Sequence, residues 1–242
     1  MNQQNLTERV IIALDFPAAK DAVEFLERVP QARYVKVGME LFYAAGTSFL
    51  EQLKQRGLKI FLDLKLHDIP NTVGRAMSVL AGLGVDMVNV HAGGGREMML
   101  RAKDGLEQGT SPGQDVPRLI AVTQLTSTDQ KMLNEELGIP GTVEEAVLRY
   151  ARLAKACGLD GVVASPWEVR GIKQACGHGF LCVTPGVRPA AEGRPADDQR
   201  RVMTPREAWQ TGSDYLVIGR PITRAQDPAA AFDAIVAQLG GS

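Results

Sequence analysis

The chain has 242 residues, 45% apolar and 23% charged, and its 27 basic and 28 acidic residues leave a net charge of −1. That balance suits a globular protein with ample core. It excludes the basic excess of a general nucleic-acid binder, and no apolar run approaches the ~18 residues of a membrane span. The first ten residues, MNQQNLTERV, lack a signal-peptide pattern, and Cys157, Cys176 and Cys182 form no CxxC pair, so a reducing, cytoplasmic setting is expected.

Short β-branched or apolar runs predict strands over 10–14, 34–38, 59–63, 86–91, 118–123, 161–164, 180–184 and 215–218. Amphipathic stretches between and after them predict helices over 18–28, 48–56, 72–83, 95–107, 143–157, 168–174, 205–210 and 228–239. Strand and helix alternate eight times, which argues for βαβ units and a parallel sheet. At this length the expected fold is α/β, a single (β/α)8 TIM barrel forming one catalytic domain over 1–242, with an open doubly wound sheet as the alternative. Two long polar loops, 125–141 after strand five and 186–204 after strand seven, would both emerge at the C-terminal face, where barrels place their active sites.

The chemistry gathers at the strand ends. In Phe61-Leu-Asp-Leu-Lys-Leu-His-Asp-Ile-Pro-Asn-Thr72, alternation along a strand points Asp63 and Lys65 the same way, with Asp68 in the loop beyond. A structural ion pair at a strand end would use the same two residues. Lys36 weighs against that bland alternative. It sits among valines in Tyr34-Val-Lys-Val-Gly38, and an inward lysine needs a carboxylate partner, for which Asp63 is the nearest candidate. Strand one ends in Leu14-Asp15, so three neighbouring strands deliver charge to one mouth. Strands seven and eight end in Thr184-Pro-Gly-Val-Arg188 and Ile218-Gly-Arg220, where barrels commonly bind phosphate. Gly219 allows close backbone approach, Arg188 and Arg220 offer planar forks, and Gln199 offers an amide donor. His67 shares the expected face of Lys65 and is read as a packing or hydrogen-bonded residue; His91 ends strand four, where a supporting role at the mouth is its lesser reading. No Walker A, GxGxxG, HExxH or Cys/His cluster is present, so neither a cofactor nor a metal is expected.

The segment Asp63-Leu-Lys65-Leu-His-Asp68-Ile-Pro-Asn-Thr72 resembles the signature of the orotidine 5′-phosphate decarboxylase family. The likeness continues in order through Leu14-Asp15, Val35-Lys36-Val-Gly38, Leu125-Thr126-Ser127, Thr184-Pro-Gly-Val-Arg188, 198–205 and Gly219-Arg220-Pro-Ile. It implies decarboxylation of orotidine 5′-phosphate to UMP without a cofactor, with Lys65 stabilising and protonating C6 and with Asp63, Asp68 and Lys36 completing a charged array. It also implies that Asp15 and Lys36 hold the ribose, that Thr126 touches ligand, and that Arg188, Gln199, Gly219 and Arg220 hold the phosphate. It further implies a homodimer in which Asp68 crosses the interface, with Ile69 and Thr72 nearby. The DxKxxD core is shared with metal-assisted sugar-phosphate enzymes of the same barrel superfamily, which stays open as a second reading. A non-catalytic phosphate-ligand binder is the third.

Overall fold

A computed structural model of the chain describes residues 6–189 and 203–240. Eight parallel strands close in sequence order into a barrel. They are β1 (Val10–Ala13), β2 (Tyr34–Gly38), β3 (Lys59–Leu66), β4 (Met87–His91), β5 (Arg118–Val122), β6 (Gly161–Val163), β7 (Leu181–Thr184) and β8 (Tyr215–Ile218). The helices are α1 (Ala19–Glu27), α2 (Met39–Gln55), α3 (Pro70–Gly82), α4 (Gly95–Gly109), α5 (Val143–Ala156), α6 (Val169–Cys176), α7 (Pro205–Gln210), a single turn α8 (Arg220–Thr223) and α9 (Pro228–Gly240). The alternation expected from the sequence is therefore a closed barrel and not an open sheet.

Successive strand residues face opposite ways, and the apolar core divides accordingly. Val10, Ile12 and Leu14 join the large layer between strands and helices. Ile11 and Ala13 join a smaller cluster with Tyr34, Phe61, Met87, Ile120, Val183, Tyr215 and Val217, which fills the barrel itself. Local chemistry starts the helices. Thr142 and Thr204 each accept from the backbone N–H three residues on, while Glu145 and Glu207 reach back to cap them. Helices α3 and α4 pack with backbones nearly touching, since a Cβ at Gly105 would collide with the Gly74 carbonyl oxygen and one at Gly109 with that of Ser78.

Two expected elements differ most in their bounds, and the turn α8 and a helical turn over Met132–Glu136, inside the long loop after β5, have no counterpart in the sequence reading. Helix α2 begins at Met39, nine residues ahead of the predicted start, directly off the end of β2. Gly46 kinks it at φ 69°, which splits the periodicity and leaves only the second half legible. Strand β3 runs to Leu66, three residues past its predicted end, because its register against β4 shifts between Leu62 and Leu66.

Three of the four even-numbered strands, β4, β6 and β8, have the preceding strand pinned at the N-terminal end. Asp86, Asp160 and Asp214, which lie just before β4, β6 and β8, accept the backbone N–H of Ile60, Leu119 and Cys182 on β3, β5 and β7 at 2.7–2.8 Å. Tyr34 and Tyr215 meet edge to face at this end, ring centroids 5.7 Å apart. Arg118 donates to the Tyr215 hydroxyl at 2.7 Å.

Candidate active site

The opposite end holds a cavity of about 330 Å³ lined from β1, β2, β3, β5, β6, β7 and β8 and their following loops. That volume suits a small metabolite. Of the residues expected from the sequence, Asp15, Lys36, Asp63, Lys65, Thr126, Arg188, Gly219 and Arg220 line it.

Four of them form a chain of alternating charge. Lys36 Nζ lies 3.2 Å from Asp15 Oδ1 and 3.3 Å from Asp63 Oδ2, and Lys65 Nζ lies 2.7 Å from Asp63 Oδ1. Asp63 is buried, at 7% exposure. Burial alone would raise its pKa, but Lys36 and Lys65 outweigh that and hold the carboxyl below its ordinary value of 3.8. Burial likewise works against charge on Lys36. The Asp63 and Asp15 carboxylates prevail, and its pKa is raised.

Simple alternation does not bring Lys65 to Asp63. Lys65 has φ 51°, the only positive φ outside glycine among the described residues, a conformation that costs an L-residue about 1–2 kcal/mol. It sits within the register shift of β3, so a bulge re-aims the lysine. Asn89 on β4, 1% exposed, spans this bulge. Its Oδ1 accepts the Lys65 backbone N–H at 2.8 Å, and its Nδ2 donates to Asp63 Oδ1 at 2.7 Å. Sequence reasoning missed Asn89, although a polar residue between Val88 and Val90 is the same signal that marked Lys36 between two valines.

Asp68, Ile69 and Thr72 do not line the cavity. All three are exposed at the rim beyond β3, and Asp68 Oδ1 accepts the N–H of Ile69 at 2.7 Å. The array expected as Lys36–Asp63–Lys65–Asp68 is, within one chain, Asp15–Lys36–Asp63–Lys65. His67 is exposed, its ring centroid 5.6 Å from that of His91. Burial, then the neighbouring His67 and Lys65, hold His91 below its ordinary pKa, so it is neutral at pH 7.

On the β7–β8 side, Arg188 N–H donates to Met203 carbonyl at 3.0 Å and Met203 N–H donates to Gly186 carbonyl at 3.2 Å. These bonds clamp the base of the loop that carries Arg188. Gln199 lies outside the described residues. A Cβ on Gly219 would come 3.4 Å from that of Ala13 and 3.5 Å from Asp15 Oδ2, so the backbone passes close to the β1 end. The loop after β5 is tied by its own side chains. Gln130 donates to the Gly141 carbonyl at 2.8 Å, and Asn134 donates to those of Ile139 and Gly141 at 2.7 and 3.0 Å. Gln124, Ser127 and Val187 also line the cavity and were not singled out from the sequence. Among the described residues no three His, Cys, Asp or Glu side chains converge as a metal site, and no helix is long and apolar enough to cross a membrane.

The sequence model of the family described as "Orotidine 5'-phosphate decarboxylase / HUMPS family" matches residues 8–235. The chain belongs to this family. Curated relatives named orotidine 5′-phosphate decarboxylase include one from Lactococcus lactis subsp. lactis (strain IL1403), 55% identical and covering 95% of this chain and 97% of its own. Another, from Bacillus cereus (strain Q1), is 52% identical over 98% of this chain and 99% of its own. The crystal structure of orotidine 5′-phosphate decarboxylase from Lactobacillus acidophilus superposes with a TM-score of 0.86 at 44% identity, covering 97% of this chain and 100% of that one.

Proposed function

We propose that the chain decarboxylates orotidine 5′-phosphate to UMP and CO2, the last step of de novo pyrimidine nucleotide synthesis, with Lys65 as its proton donor. Family membership and the names of relatives over half identical support the reaction. The observation that carries the assignment of Lys65 is its ammonium 2.7 Å from a buried carboxylate, at the wall of the cavity.

The chemistry explains why a lysine is needed there. Breaking the C6–carboxylate bond releases CO2 and leaves the electron pair on C6, with no adjacent carbonyl placed as a simple sink. Fixed positive charge aimed at that carbon lowers the barrier without reorganising. The Lys65 ammonium provides it and then transfers a proton to C6, leaving a neutral amine to be recharged from solvent. Asp63, 2.7 Å away, orients the ammonium. Asp63 also faces the departing carboxylate, and this like-charge contact is a secondary contribution to the barrier.

Asp15 and Lys36 are assigned to the ribose hydroxyls and Thr126 to the ligand. Arg188, Gln199, Gly219 and Arg220 are assigned to the phosphate. Phosphate binding, remote from C6, orders the loops over the reacting group. Asp68, Ile69 and Thr72 are assigned to the active site of a second copy in a homodimer. Their exposure at the rim, with Ile69 67% exposed, supports this reading. The whole chain, 1–242, is read as one catalytic domain, working without cofactor or metal. The buried, unpaired thiols of Cys157, Cys176 and Cys182 favour the cytoplasm.

The test is a continuous ultraviolet assay of the full chain with orotidine 5′-phosphate in EDTA, with Lys65→Ala as the control. Turnover in chelator that the variant loses, while the variant still binds UMP, is the expected result. Turnover that requires added magnesium, or that appears only with a sugar phosphate, would move the chain to the metal-assisted reading.

A further inference from the structure

We propose that Asn89 is a positioning residue for the reaction, the clasp that holds the Lys65 ammonium and the Asp63 carboxylate in their working geometry. The inference rests on the activity proposed above and adds to it a residue on a fourth strand.

The planar amide of Asn89 touches both ends of the β3 bulge. A backbone N–H can only donate and a carboxylate can only accept, so the amide oxygen must face Lys65 N–H and the amide nitrogen must face Asp63. Those contacts measure 2.8 and 2.7 Å. Asp63 Oδ1 takes the amide and the Lys65 ammonium together, and Oδ2 faces Lys36. With the buried carboxylate engaged on both oxygens, its angle is fixed, and so is the direction from which Lys65 approaches.

The backbone tells the same story. Lys65 adopts φ 51°, a region that a lysine keeps only where its surroundings impose it. The Asn89 side chain is the partner of the Lys65 N–H in that conformation. Packing alone would be met by an apolar residue between Val88 and Val90. An amide serves a buried strand position only when both of its ends are satisfied, as they are here.

The experiment compares the full chain with Asn89→Ala and Asn89→Asp. It measures kcat and KM for orotidine 5′-phosphate, the affinity for UMP, the kcat–pH profile and the thermal midpoint. Displacing a reacting group by about an ångström costs about 10²-fold in rate, so Asn89→Ala is expected to lose about 10²-fold in kcat while KM and UMP affinity stay within about threefold. The groups facing Asp63 are Lys36 from β2, Lys65 from β3 and Asn89 from β4; Asp15 from β1 reaches Lys36, and His91 closes β4. Of these only the Asn89 contact is lost. It favours the charged carboxylate, so the acidic limb of kcat moves to higher pH relative to the parent, with substrate titration common to both.

Asn89→Asp serves if the alanine variant does not fold. One proton shared between the new carboxyl and Asp63 reproduces the parent's charge and hydrogen bonds, so its kcat relative to the parent rises as pH falls. A folded Asn89→Ala with kcat within threefold of the parent overturns the proposal. So does a limb that does not move, or an Asn89→Asp ratio that is flat with pH. A parent chain that binds UMP and does not turn over orotidine 5′-phosphate overturns the activity reading on which the proposal rests.

Discussion

The two ends of the barrel use the same residue types for opposite purposes. At the N-terminal end the carboxylates of Asp86, Asp160 and Asp214 accept backbone N–H groups, and Lys173 Nζ is shared among Asp214 and the carbonyls of His178 and Phe180. The three carboxylates there are bound to main chain, and what they fix is strand register. At the C-terminal end Asp15, Lys36, Asp63 and Lys65 bind one another and line a cavity. A charge tied to the main chain has little left to offer a ligand, whereas one held by another side chain beside a cavity can be lent to chemistry. The comparison is the barrel's division between a face for stability and a face for function, seen in individual hydrogen bonds.

Exchanging the damage between the ends breaks this comparison most sharply. Lys65→Ala removes the charge and the proton aimed at C6, and kcat is expected to fall by at least about 10³-fold. Its thermal midpoint should stay within a few degrees of the parent, because Asp63 keeps Lys36 and Asn89. Asp214→Ala should do the reverse. It leaves Lys173, 6% exposed, without its carboxylate, which costs about 3 kcal/mol. In a chain of this size that lowers the midpoint by roughly 10 °C, with kcat per folded molecule unchanged. Calorimetry beside the ultraviolet assay reads both. If Asp214→Ala lost kcat without losing stability, the division would be wrong.

Arg220→Ala is the next effect in size. A charge-assisted contact to phosphate contributes about 1.5–3 kcal/mol, so kcat/KM should fall roughly 10–100-fold. The loss should shrink for a substrate lacking the phosphate, since the variant and the parent would then be missing the same contact. An equal loss for both substrates would place Arg220 outside the phosphate site.

The mouth itself was unevenly legible in the sequence. Eight strands, and the placing at one mouth of the charged residues that end or follow β1, β2, β7 and β8, were legible because buried strands are short apolar runs and a charged residue inside or just past one stands out, as Lys36 does between two valines. The β3 bulge was not. Alternation presumes a regular pleat, and the turn of Lys65 to φ 51° depends on Asn89, 24 residues away and on another strand. The first half of α2 escaped because Gly46 interrupts its periodicity. Asp68 was read from the loop beyond β3 and Ile69 and Thr72 from resemblance alone, and a single chain does not bring the three to the cavity.

The smallest expected effect concerns the sign of the pH dependence at each end. Asp63 at the mouth titrates below its ordinary value, because Lys36 and Lys65 outweigh burial. Its contribution to stability is present above the unfolded value of 3.8 and is lost as pH falls through the folded one. Asp86 at the base titrates above 3.8, because burial outweighs its bond from Ile60 and the nearby Lys59. Its ionisation therefore works against folding, and that cost grows as pH rises from 3.8 through the folded value. Asp63→Asn should flatten the loss of stability on the acid side and lower stability at pH 7. Asp86→Asn, which keeps an acceptor for the Ile60 N–H, should remove a decline on the way to neutrality and leave stability at pH 7 equal or higher. Denaturant midpoints of the two variants between about pH 3 and pH 7 measure the difference. Shifts of the same sign would show that both carboxylates feel their lysines more than their burial, and that the two ends are electrostatically alike.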